Sequence, residues 1–358
     1  MGVGGAENVA KEFHKIFPSS PIYTFFHDEN FTSKFIPGAD IRPSFLQKYY
    51  KRLGSHKLLL PLMPSAAESF DLSEFDLVIS SSAYFCKGLI LRPHTTHICY
   101  CHSPTRQWWD WQSEYRKEVK ITPKWAASLL QHFMRIWDRH ASLRVDHFIA
   151  NSENVRKRIK KYYQQDSSVI YPPIKTYTNG TTKANHKTSV SEKYFLIVSR
   201  LYKHKNVDIA VKAFSKLGWP LVVIGNGPEK KRLEKIAEKN VTILGFVPDD
   251  ELSQYYENCL AFVMPQEEDF GITPIEAMSY GKPVLALRRG GALEYIKEGI
   301  NGEFFDDSHP DVLAYHAMLM KKNIENYNSD EIKNSTSIFT QEIFKNHILN
   351  IIKQTVQT

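Results

Sequence analysis

The chain has 358 residues, with 46 Lys and Arg against 39 Asp and Glu for a formal charge of +7, and 42% of it is hydrophobic. That length suits two ordinary α/β domains, and the composition excludes a disordered chain. No apolar run approaches the roughly 20 residues needed to span a bilayer, and no signal-peptide pattern opens the sequence, so a cytoplasmic protein is expected. The basic excess favours anionic partners in general (phosphates, anionic lipid, nucleic acid) without choosing among them.

In chain order, Gly4-Gly5-Ala6-Glu7 opens an amphipathic helix with Val9, Ala10, Phe13 and Phe17 on one face. A glycine turn of this kind normally follows a strand, and none precedes it, so translation from an upstream start is expected. Residues 21–26, 58–62, 75–80, 97–101 and 145–150 read as strands, 125–143 as a long helix and 152–163 as a short basic one. Cys99-x-Cys101-His102 has no second ligand pair downstream, so reduced thiols are favoured over zinc.

His102 ends a strand, and Ser103, Pro104, Thr105, Arg106, Trp108, Trp109 and Trp111 follow. A histidine there is either structural or functional; the tryptophans either stack on sugar faces or belong to a core. The helix 155–163 offers cations to an anionic membrane surface, or is simply a solvated face. Tyr171-Pro172-Pro173 and the polar stretch 176–190 read as a linker.

The second half alternates more regularly. Strands are expected at 194–199, 221–224, 241–244, 260–264 and 283–287, and helices at 207–217, 229–238, 249–258 and 274–280. This alternation specifies a parallel sheet with crossover helices, in which ligands sit at the carboxyl ends of strands. Arg200 and Lys205 follow the first of these strands and suit a phosphate: a guanidinium fork and a point charge. An ordinary basic loop is the competing reading.

Gly225-Asn226-Gly227-Pro228 and Gly290-Gly291-Ala292 are glycine turns, weak as functional signals. Glu268-Asp269-Phe270-Gly271-Ile272-Thr273-Pro274-Ile275-Glu276 joins a strand to a helix. Thr273 suits the N-cap and Pro274 the first helical position, leaving a helix start that attracts anions. Thr273-x-x-Glu276 is also a capping box, so Glu276 serves either its own helix or a ligand. Glu268 sits ahead of the helix, where a carboxylate seldom has a packing purpose.

Taken together, these blocks resemble glycosyltransferase family 4, retaining enzymes of the GT-B fold, over nearly the whole chain. The carriers are Gly4-Gly5-Ala6-Glu7, Ile98 to Pro104, Val169 to Pro173, Ser199-Arg200 with Lys205, and Glu268 with Glu276 eight residues apart, together with the Phe-Gly-Ile-x-Pro-Ile-Glu-Ala-Met run around Glu276. Within the family the chain looks most like bacterial mannosyltransferases of O-antigen and exopolysaccharide assembly. The resemblance implies two Rossmann-like domains facing across a cleft: 1–173 on the acceptor side, 174–339 binding the donor, and a helix 340–358 packing back on the first.

By the same resemblance, Arg200 and Lys205 hold and stabilise the departing diphosphate, Glu268 binds hydroxyls of the transferred sugar, and Glu276 binds the ribose diol. Phe270, Gly271, Ile272 and Thr273 form the donor loop, and Val247 lies where backbone meets the base. His102 bonds the sugar, and Gly4 and Gly5 lie near the phosphates.

The implied reaction moves a hexose, mannose from GDP-mannose first among them, onto a lipid-linked or growing saccharide at the inner face of the cell membrane. No metal and no other cofactor is expected, since no Asp-x-Asp site is evident and the two cations can neutralise the leaving group. Two alternatives stay open: a UDP- or dTDP-sugar transferase, and an epimerase or hydrolase that consumes donor without acceptor. A nucleic-acid-binding module is a remote third reading, supported by charge alone and by no recognition motif, so no nucleic-acid partner is expected.

Overall fold

The computed structural model describes residues 4–113, 123–175 and 193–356. The stretch 176–190 read as a linker lies outside the described residues. The chain divides into two compact units, one of Met1–Pro172 with Phe344–Thr358 and one of Pro173–Ile343.

In the first unit, β1 (Ile22–Thr24) pairs in parallel with β2 (Ile41–Pro43). A separate parallel sheet runs β3 (Leu77–Ser82), β4 (Thr96–Cys101), β5 (His147–Ala150) and β6 (Ser167–Val169), in that order. Side chains alternate across the pleat, so β4 and β5 feed two cores. Cys99, Cys101, Phe148 and Ala150 pack against Val155, Ile159 and Tyr163 of the helix Glu153–Tyr163. Ile98, Tyr100 and Ile149 face the other way, onto Val9 of the helix Gly5–Ile16 and onto Phe344 and Ile348 of the helix Gln341–Val356. The C-terminal helix thus completes the first unit. Cys99 and Cys101 are core residues, and burial pushes the Cys99 thiol up to about 12.

A third core gathers Leu46, Met63, Ala66, Phe85, Trp108 and Met134. Beside it Asp138 and Lys87 form a buried ion pair at 2.6 Å. Thr105 Oγ1, Trp109 Nε1 and Tyr163 Oη also donate to Asp138, at 3.1, 2.8 and 2.9 Å. These partners make the buried charge tolerable. Trp109 further stacks on Tyr162, and Arg106 lies 4.3 Å over Trp111. The tryptophans are therefore engaged in packing.

One expected strand is wrong. Residues 58–62 belong to a 3-10 helix, His56–Leu62. The leucine run looks like a strand, but Pro61 inside it has no N–H to give a ladder.

The second unit carries a six-stranded parallel sheet: β7 (Phe195–Val198), β8 (Leu221–Ile224), β9 (Val241–Gly245), β10 (Ala261–Met264), β11 (Val284–Leu287) and β12 (Gly302–Phe305). Runs such as Leu-Val-Val-Ile and Ala-Phe-Val-Met are apolar on both faces because helices cover both sides of such a sheet. The spatial order is β12-β11-β10-β7-β8-β9. It is the doubly wound order, in which the winding reverses between β7 and β10. Loops leaving those two neighbours diverge and open a crevice at their carboxyl ends.

Candidate functional site

The loop after β7 carries Arg200 and ends in a 3-10 turn, Lys203–Lys205. Asn206, at φ 50°, then turns the chain into the helix Val207–Leu217. The glycine turn after β8 is what holds this loop. A Cβ on Gly225 would overlap the Ser199 carbonyl oxygen, and one on Gly227 that of Leu201. With those side chains absent, Leu201 N–H donates to Asn226 O at 2.9 Å and Glu229 N–H to Leu201 O at 3.0 Å.

The loop after β10 is backed in the same way. Gly291 N–H donates to Glu268 O at 2.9 Å, and a Cβ on Gly290, itself at φ 64°, would overlap that same oxygen. Phe270 is buried edge-on to Tyr295 and Phe339, each 5.7 Å away.

β7 and β10 being neighbours, residues 63 apart in the chain meet. Lys205 Nζ donates to Glu268 Oε1 at 2.5 Å, and Gln266 Nε2 to the same oxygen at 2.8 Å. Burial pushes the Glu268 carboxyl upward. The Lys205 charge and the two hydrogen bonds outweigh it and hold the group below the usual carboxylate range. Gln266 Oε1 and Tyr295 Oη are buried with no partner among the described residues. A Cβ at Gly271 would stand 2.8 Å from Tyr295 Oη, so this hydroxyl is aimed at the Glu268 loop. Gln266 and Tyr295 were missed from sequence, since an isolated Gln after a strand and a Tyr in a short helix carry no spacing signal.

Arg200 is exposed, lies 5.9 Å from the Tyr202 ring, and makes no ion pair among the described residues. Two expectations about the following helix are corrected. It runs Ile272–Ser279, with Gly271 rather than Thr273 at the N-cap, so Pro274 falls in the third helical position. Gly271 has no side chain to cap with, and Glu276, buried, accepts from Tyr256 Oη at 2.9 Å. No acidic residue occupies the first turn, so the helix start keeps its attraction for an anion. Val247 is half-buried in the loop after β9.

The remaining candidates belong to the first unit. His102 leaves the end of β4 with Nε2 2.8 Å from Ser81 Oγ, and burial lowers its pKa to about 4, so its imidazole is neutral near pH 7. Gly4 caps the helix Gly5–Ile16, and its N–H donates to Glu7 Oε2 at 3.0 Å.

A crevice holding a carboxylate, cations, orphaned polar atoms and a helix start suits a polyhydroxylated anion. Two family models agree. Residues 3–177 match Glycosyltransferase Family 4, and residues 179–335 match Glycosyl transferases group 1. The chain belongs to glycosyltransferase family 4.

The chain is 26% identical over 204 residues to the uncharacterized glycosyltransferase MJ1178 of Methanocaldococcus jannaschii, 56% of this chain and 54% of that protein. It thus spans about half the length of that relative. To the alpha-1,3/1,6-mannosyltransferase ALG2 of Candida glabrata it is 23% identical, over 83% of this chain and 76% of that protein. The glycosyltransferase also shares the fold of Anabaena HepE solved with UDP and glucose, at TM-score 0.70 and 17% identity, covering 98% of this chain and 96% of that one. The fold is GT-B.

Proposed function

We propose that this family 4 enzyme transfers a hexose, mannose from GDP-mannose in the leading form, with retention onto a lipid-linked or growing saccharide. The observation that carries the reading is the Lys205–Glu268 pair at the reversal of the second unit's sheet. Arg200 and Lys205 take the diphosphate, Glu268 with Gln266 and Tyr295 takes sugar hydroxyls, and Glu276 takes the ribose diol. The backbone of Gly271, Ile272 and Thr273 meets phosphate and sugar, Phe270 holds that loop in place, and Val247 meets the base. His102 bonds the sugar, and Gly4 and Gly5 lie near the phosphates.

In the transfer, the bond from the anomeric carbon to the phosphate oxygen breaks and the nucleoside diphosphate leaves with its electron pair. The acceptor hydroxyl attacks the same face, and its proton passes to a phosphate oxygen. The two cations stabilise the developing charge in place of a metal. The enzyme works at the cytoplasmic face of the cell membrane; no helix among the described residues is long and apolar enough to cross one.

The likeness to the mannosyltransferase ALG2 favours a mannosyl donor, whereas the UDP bound to HepE favours the second reading, a UDP-hexose. A thermal-shift panel of GDP-, UDP-, ADP- and dTDP-sugars separates them, because a bound ligand stabilises by mass action. A shift with UDP-sugars alone overturns the GDP-mannose assignment. Donor consumption without any acceptor overturns transfer in favour of an epimerase or hydrolase.

A further inference from the structure

On sequence grounds the basic helix, here Glu153–Tyr163, either meets an anionic membrane or is a solvated face, and its apolar side is not available. Val155, Ile159 and Tyr163 are buried in the core beneath the sheet, so this helix can offer charge and nothing to insert. An apolar face exposed among the described residues lies on the adjoining helix, Lys124–Ser142.

On that helix Trp125, Leu129, Phe133 and Ile136 recur at spacings of four, four and three, which sets them on one face. All four are exposed, Trp125 at 72% and Phe133 at 57%. The opposite face holds Met134 and Leu130 in the third core. Beside the exposed row stand Arg135 and Arg139. Arg135 and Arg139, with His132, His140, Ile136 and Trp109, line an open hollow of about 270 Å³ whose exposed lining is mostly apolar.

Arg135 is fixed by bonds to Trp108 O and Gln112 Oε1 at 2.8 and 2.9 Å. Arg139 Nη2 donates to Gln164 Oε1 at 2.9 Å, while its Nη1 is buried with no partner among the described residues. The helix's one acidic residue, Asp138, points inward to Lys87, so no carboxylate on this helix opposes an anion. The bond to Gln164 also ties this surface to the helix that exposes Arg156, Lys157, Lys160 and Lys161.

We propose that the helix Lys124–Ser142 is the surface on which the enzyme lies on an anionic bilayer. Trp125, Leu129 and Phe133 enter the acyl boundary, and phosphate headgroups meet the guanidinium groups of Arg135 and Arg139 beside them. An apolar row flanked by cations matches a phospholipid surface, which offers both chemistries a few ångströms apart. The assignment rests on the membrane contact in the proposed function and moves it to a different helix.

The test is co-sedimentation of the full chain with vesicles of phosphatidylcholine alone and of equal parts phosphatidylcholine and phosphatidylglycerol. Binding is expected to the mixed vesicles and to weaken as salt rises. W125S with F133S should lose roughly a hundredfold in binding. R139Q with K157Q should lose roughly tenfold or more, and only on the anionic vesicles. Both pairs should keep the wild-type melting temperature and transfer to a water-soluble acceptor.

Wild-type vesicle binding by the W125S/F133S variant would overturn the assignment. So would a wild-type dimer that this variant converts to monomer, with neither binding vesicles, since the row would then cover a second copy. Inorganic phosphate quenching Trp109 without any vesicle binding would overturn it as well, leaving a soluble-anion site. Loss of sugar transfer is read separately with the soluble acceptor, so failure of the proposed reaction cannot be mistaken for failure of docking.

Discussion

The Lys205–Glu268 pair gives the most quantitative test, as a double-mutant cycle of Lys205→Met and Glu268→Gln. At 2.5 Å two unit charges attract by about 2 kcal/mol in water and about 7 kcal/mol at the effective dielectric of a protein surface. About a quarter of the Glu268 side chain is open to solvent, against a tenth of Lys205, so the lower end applies. After desolvation is subtracted, a coupling of ~2–3 kcal/mol is expected. Glu268→Gln leaves the Lys205 charge buried and Lys205→Met leaves the Glu268 charge half-buried, with Gln266 still donating to Glu268; the double variant recovers most of the loss.

Denaturant unfolding of the four proteins measures the coupling. Glu268's folded pKa lies below its unfolded value, so its contribution is complete above the ordinary carboxylate range and is lost only as pH falls through the depressed value. The coupling should therefore be the same at pH 7 and pH 5. A coupling under about 0.5 kcal/mol at pH 7 would refute the pair as an energetic unit, because independent sites add to within that margin.

Three further outcomes follow from particular residues. Arg200→Ala should cost on the order of a hundredfold or more in transfer with an unchanged melting temperature, since the side chain is exposed; near-normal turnover would remove it from the phosphate site. Gly290→Ala puts a Cβ at φ 64° against the Glu268 carbonyl. The strain alone is worth ~1–2 kcal/mol, and thermal scanning should show a lowered melting temperature together with loss of the donor-induced shift. An unaltered melting temperature would mean that the Glu268 loop yields freely.

His97 is buried, with Nε2 2.9 Å from Ser80 Oγ and Nδ1 unpartnered among the described residues; burial, partly opposed by Asp146, lowers it to about 4. Its folded pKa lies below the ordinary 6.5, so its contribution of ~3 kcal/mol is complete above that pH and drains away between about 6.5 and about 4. His97→Gln should roughly halve the pH dependence of stability in that window, the remainder belonging to His102, which burial also lowers to about 4, and a profile as steep as wild type would show that His97 is not a source.

Much of the second unit was legible along the chain. Strands apolar on both faces and helices closed by short turns were readable at 207–217, 221–224 and 249–258, because each is a local periodicity. The strands not anticipated, β2, β6 and β12, are short or interrupted: Ile-Arg-Pro, Ser-Ser-Val and Gly-Glu-Phe-Phe lack a continuous apolar run. The 3-10 turn at His56–Leu62 was misread for the opposite reason, an apolar run that Pro61 keeps out of any ladder.

For the site, the residue types and their place in strand-to-helix loops could be read directly, since charge and glycine content are properties of single residues. That Lys205 reaches Glu268, and that Gln266 Oε1 and Tyr295 Oη are left without a partner among the described residues beside that pair, are different matters. They depend on β10 lying next to β7, a pairing of distant segments that no local pattern encodes. Strand order decides which loops share a crevice, and it is settled by how two faces of one sheet are covered at once.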